Sequence, residues 1–207
     1  MTKIETEKIK EIYDYLSDST NPLIKANGAF VFCRDDPLVA KKTATLFQNN
    51  LIDYAMFTGG IGKDSGYLTD LQLPEAKWQA ALLNLIYQIP SKQIYVEPHA
   101  TNGGECCRFG IDTVVNNSLP HQDLIIVCHP TSLRRTSATL EMEAKKKGFK
   151  SNYQRIGTDY IFNANNPQDQ QEAIAELIRL TDWPAKGWCT LQEDLPYELV
   201  SYARELK

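Results

Sequence analysis

The apolar positions of this chain alternate between a helical spacing and short unbroken runs. Residues 3 to 17 put Ile4, Ile9, Ile12, Tyr13 and Leu16 on one helical face, which predicts an amphipathic opening helix. The run from Gly28 to Cys33 lacks alternation and reads as a strand buried on both faces. Asp36 and Pro37 then stand as an N-cap and first helical residue, with helical spacing from Leu38 to Gln48. A second strand, Tyr54 to Thr58, precedes a helix that starts at Pro74 and Glu75 and carries Trp78, Leu82, Leu85 and Ile86. Gln93 to Glu97 is the third strand, and Asn102 with Glu105 forms the capping box of a helix bearing Phe109, Ile111 and Val114. Asp123 to Cys128 is the plainest buried strand. The helix after it is capped at Thr131 or Ser132 and closed by three lysines and Gly148. A fifth strand at 151–156, a helix at 168–180 and a final helix from Pro196 to Leu206 complete the pattern.

Strands that alternate with helices need crossover connections, which build a parallel sheet with helices on both faces. The fold class is therefore α/β, a three-layer sandwich with a mainly parallel sheet plus N-terminal and C-terminal helices. The length of 207 residues suits one domain over 1–207, with a core at about 22–157 and a helical extension at about 158–207. A polar connection of about 15 residues between the second strand and its helix is long for such a fold and marks a lid or binding loop.

Composition narrows the partners. The formal net charge of −4 supplies no cationic field for a polyanion, which argues against nucleic acid. The charged start and the lack of a long apolar window predict no membrane span and a cytoplasmic protein. Five cysteines with no C-x-x-C pair and no matching histidine spacing predict reduced thiols and no metal site. Buried filler fits them better than a thiolate nucleophile.

Four strand ends run into small, polar or charged residues, and in a parallel sheet these ends share one crevice. Gly59, Gly60 and Gly62 allow close backbone approach and offer amides to an anion, yet their spacing fits neither the dinucleotide fingerprint nor a P-loop. Asn102, Gly104 and Glu105 open a helix whose amides face outward, with Arg108 one turn on and able to pair with Glu105. Thr131, Arg134 and Arg135 stand in the first turns of the next helix. Cations oppose the positive end of a helix, so these arginines imply an anionic partner, either a ligand or protein carboxylates such as Asp35, Asp36 or Glu105. Asp35, Glu97 and His129 complete the candidates; His129 could act as a base or serve as a hydrogen-bonded structural histidine. No residue set declares a reaction type.

At these clusters the chain resembles the bacterial SanA/ElyC/YdcF domain family of largely unknown function, over roughly residues 28 to 150. The resemblance rests on Thr58-Gly59-Gly60, Glu75-Ala76 and Arg135. It is nearest the YdcF branch in Gly59-Gly60-Ile61-Gly62, Thr101-Asn102-x-Gly104-Glu105 with Arg108-Phe109, and Pro130-Thr131 with Arg134-Arg135-Thr136 and Ala138-Thr139. Two positions depart: Ala100 to Cys106 replaces the family's S-x-N-T-x-E-N, and Ser132 stands where many members carry histidine. The resemblance implies a Rossmann-like fold and binding of S-adenosylmethionine, by a transferase of unknown substrate or by a non-catalytic sensor. A hydrolase or transferase acting on phosphorylated envelope precursors is the other reading. Charge matching then sets the ligand's carboxylate against a helix start or Arg135, and its cationic groups near Glu105, Glu97 or Asp35.

Overall fold

The computed structural model describes residues 3–62 and 65–206. Helix α1 (Lys3–Leu16) is followed by β1 (Gly28–Phe32), α2 (Leu38–Gln48), β2 (Tyr54–Thr58), the short α3 (Tyr67–Asp70), α4 (Glu75–Leu85) and β3 (Ile94–Glu97). Then come α5 (Gly103–Asn116), β4 (Asp123–Cys128), α6 (Leu133–Lys147), β5 (Asn152–Gly157), α7 (Pro167–Asp182) and α8 (Tyr197–Glu205). The five strands form one sheet in the order β3-β2-β1-β4-β5, and each pairing is parallel. The chain thus has the expected α/β sandwich, with the strand order reversing between β1 and β4.

Strand alternation sorts the core into two layers. Phe30, Met56, Leu124 and Ile126 face Cys107, Ile111 and Val114 of α5 and Leu140 and Ala144 of α6. Ala29, Val31, Ala55, Phe57, Ile125 and Val127 face Val39, Ala44 and Leu46 of α2 and Ala76, Ala80 and Leu83 of α4. The small residues of α4 meet the sheet, whereas the expected apolar contacts Leu85 and Ile86 lie 77% and 63% exposed. Of the apolar residues read in α5, Ile111 and Val114 are buried but Phe109 is 37% exposed, while Gly110 packs closely on Phe30 and Met56. A third cluster joins Ile9, Ile12 and Leu16 of α1 to Leu177 and Leu180 of α7, Val200 and Ala203 of α8, and Ala138 of α6. The two chain ends therefore build one helical layer on the outside of α6.

Local signals hold in most places. Asp36 Oδ1 accepts from the Leu38 amide at 2.9 Å, and Gly148 takes φ 67° at the end of α6. The start of α6 differs from expectation: a 3₁₀ turn at Pro130–Ser132 precedes it, and neither Thr131 nor Ser132 makes a side-chain cap. The long polar connection also contains α3, four residues whose Leu68 is fully buried.

Candidate functional site

Because the sheet is parallel, all four polar clusters lie at its carboxyl end. The glycine turn is built into that end as backbone packing. Gly59 has φ 145°, and a Cβ on Gly60 would stand 2.8 Å from the carbonyl oxygens of both Pro98 and Ala100. The amides of Gly59, Gly60 and Gly62 donate to Glu97 O, Ala100 O and Ser65 Oγ. Offering these amides to an anion is thereby corrected, since each already has a protein acceptor. The carbonyls of Gly59 and Gly60 in turn accept from Ala76 and Glu75 and so position the start of α4.

Two carboxylates adjoin the turn, Glu97 and Glu75. Glu97, 4% exposed, accepts the Thr58 hydroxyl at 2.8 Å on one oxygen and the His99 and Ala100 amides at 2.7 and 3.2 Å on the other. Glu75 accepts the Ser65 hydroxyl at 2.7 Å. Their charge and, foremost, burial push the thiols of Cys33 and Cys106 up, Cys33 well above its ordinary value and Cys106 to about 12. Burial likewise holds Cys128 at about 12. These are thiols at neutral pH, as expected. Asp35 lies against Gly66 just before α3, so the long connection folds back onto the end of β1.

Helix α5 begins beside the turn. Asn102 Oδ1 accepts from the Glu105 amide at 3.0 Å, and Glu105 Oε2 accepts from the amide and the hydroxyl of Thr101, each at 2.8 Å. Those two bonds, with burial opposing only weakly, hold the Glu105 carboxyl below its ordinary value. Arg108 does not pair with Glu105 as expected; its nearest carboxylate is Glu143 on α6, at 3.7 Å. A Cβ on Gly62 would lie 3.3 Å from Thr101 O, and one on Gly104 would lie 3.2 Å from Arg108 Nη1. Gly62, Asn102, Gly104 and Glu105 are therefore close neighbours.

The arginine pair divides. Arg135 turns toward α5, with Nη1 3.4 Å from where a Cβ on Gly103 would stand, while its Nε binds Glu176 of α7. Burial alone would lower its pKa, but the Glu176 carboxylate outweighs it and the guanidinium stays charged. Arg134 turns the other way. Its Nη1 reaches both oxygens of Asp194 at 2.8 and 2.7 Å, its Nε donates to Tyr15 O at 3.0 Å, and its Nη2 meets Asp18 at 3.2 Å. Arg134 is a clamp between α1, α6 and the C-terminal segment, outside the crevice. The anions that answer both arginines are thus Glu176, Asp194 and Asp18, and not Asp35, Asp36 or Glu105.

His129 and Thr131 lie at the β4 end, 3% and 1% exposed, where α7 packs over the turn that holds them. Burial first, then the Arg34 charge, holds the His129 imidazole down to about 3, so it is neutral. Its Nδ1 stands 3.6 Å from Glu172, which makes an ion pair with Arg34 at 3.2 Å. At neutral pH the histidine contact carries no opposite charge and Arg34 is the true partner of Glu172. His129 also lies over the Tyr160 ring, with centroids 4.4 Å apart. Its Nδ1 is buried without a hydrogen-bond partner among the described residues, so it is not the hydrogen-bonded histidine expected, and an imidazole held near 3 is too weak a base for work at neutral pH.

Sequence reasoning passed over Ser65, Glu172 and Glu176, and read Glu75 only as a helix start and a motif position. For Glu176 a signal existed: a carboxylate among Ala173, Leu177 and Leu180 on the apolar face of α7 implies a buried cation. No family model matches the chain, and no curated protein is significantly similar to it. Among the described residues no helix is long and apolar enough to cross a membrane, and no group of three or more histidine, cysteine or acidic side chains could hold a metal ion.

Proposed function

We propose that the carboxyl-end crevice binds a small nucleotide-like molecule, S-adenosylmethionine by the resemblance described above, in a cytoplasmic protein that is either a transferase or a sensor. The observation that carries this reading is Arg135, whose Nε is held by Glu176 while its Nη1 lies beside Gly103 at the positive end of the 14-residue α5. A carboxylate suits that corner. The buried Glu97, with Glu75 and Asp35 near the turn, gives it a negative field suited to ammonium or sulfonium. Free thiols throughout accord with a reducing compartment. Thiols held protonated and a histidine held near pKa 3 favour binding or group transfer over hydrolysis of phosphorylated precursors.

A thermal-shift panel of S-adenosylmethionine, its demethylated product, nucleotides and sugar nucleotides tests the ligand class. At about 100 times its dissociation constant a true ligand adds about 2.7 kcal/mol. A shift with S-adenosylmethionine that is weakened in Glu105→Gln supports the assignment. No shift from any adenine-containing ligand rejects it.

A further inference from the structure

We propose that the molecule carries a second binding site, between α6 and β5, for a small zwitterion with a primary ammonium and an anionic group. A partly open cavity of about 120 Å³ lies there, lined by Glu141, Tyr153, Arg155, Asp18 and Ser137. Glu141 and Tyr153 also line an open groove of about 800 Å³ together with Lys145, Phe149 and Lys150. The two spaces share these walls, and in the proposed site the cavity is the deep end and the groove the mouth.

The deep end presents acceptors. The Ser137 hydroxyl donates to Leu133 O at 2.8 Å and the Ser19 hydroxyl to Ser17 O at 3.2 Å. Arg155 is engaged with Asp18, donating to its backbone carbonyl at 2.8 Å and to its carboxylate at 2.6 Å, and Asp18 also faces Arg134. Glu141 has a neutral partner, the Thr190 hydroxyl at 2.9 Å, and among the described residues no ion pair reaches it. The Tyr153 hydroxyl is buried and makes no hydrogen bond of normal geometry, the Ser151 side chain being its polar neighbour. An orphaned hydroxyl beside a carboxylate that lacks a cation is the complement of an ammonium, which donates three hydrogen bonds and carries the missing charge. An anion there would face Glu141. At the mouth the lysines reverse the preference, so a molecule with both charges fits better than a diamine or a simple acid.

The site is independent of the carboxyl-end crevice, and backbone amide NMR of the full chain separates the two. Three four-carbon probes are compared: 4-aminobutyrate, putrescine and butyrate. The expected result is saturable shifts at 152–155 and around Glu141 with 4-aminobutyrate, weaker ones with putrescine and none with butyrate. Glu141→Gln and Tyr153→Phe should each weaken 4-aminobutyrate about tenfold, about 1.4 kcal/mol, with the spectrum otherwise retained. Butyrate binding as well as 4-aminobutyrate, shifts confined to residues 59–62 and 101–106, or no shift from either amine would overturn the proposal.

Discussion

Replacing Gly60 by alanine puts a methyl group 2.8 Å from two backbone carbonyl oxygens, so the glycine turn can accept it only by moving the loop at 98–100. The expected cost is about 1–3 kcal/mol in urea denaturation. A cost near zero would mean that the loop yields freely. His129 has a pH signature. An ordinary histidine takes up its proton near pH 6.5, whereas burial keeps this one neutral down to about 3. Between those values the unfolded chain binds a proton that the folded chain refuses. The stability from neutral His129 is therefore complete above pH 6.5 and is lost as pH falls, at up to about 1.4 kcal/mol per unit. Comparing urea unfolding at pH 6.5 and 4.5, His129→Asn should reduce the loss by about 2 kcal/mol. An unchanged loss would show that the imidazole protonates in the folded protein. Close backbone approach at the glycine turn was legible in the sequence, though not that the loop at 98–100 makes it; the burial of His129 was not, because it depends on Tyr160 and α7 packing over it.

At the scale of elements, capping and carboxylate placement decide the site. Asn102→Ala removes the acceptor for the Glu105 amide and should cost about 1 kcal/mol while loosening the start of α5. Faster amide exchange at 103–106 would register it, and unchanged exchange would count against the cap. Glu176→Gln leaves the largely buried Arg135 guanidinium without its carboxylate, at about 3 kcal/mol or more by urea denaturation. A change below about 0.5 kcal/mol, the range of a surface substitution, would place Arg135 in solvent. The strands, the α5 cap and the Gly148 stop were readable, because each is specified by a few adjacent residues. The partners of Arg134 and Arg135 were not, since Asp194 and Glu176 come from the far end of the chain and only the fold brings them near. Likewise α3 is four residues long, too short for periodicity to reveal.

At the scale of the molecule, α1, α7 and α8 act as one layer, and α7 supplies carboxylates to two arginines, Glu172 to Arg34 after β1 and Glu176 to Arg135 of α6. A chain ending at Thr158 would expose the inner faces of α1 and α6 and strand both arginines. It should lose fixed tertiary packing, seen as weak near-ultraviolet circular dichroism and dye binding; a native near-ultraviolet spectrum would make the C-terminal layer an accessory. The central claim is that the α5 start, the glycine turn and Arg135 together hold a ligand. Hydrogen–deuterium exchange of the full chain with and without S-adenosylmethionine tests it most directly. Added protection at 59–62, 101–106 and 133–136 is the predicted result. Protection absent from those segments, or confined to 141–155, would contradict it.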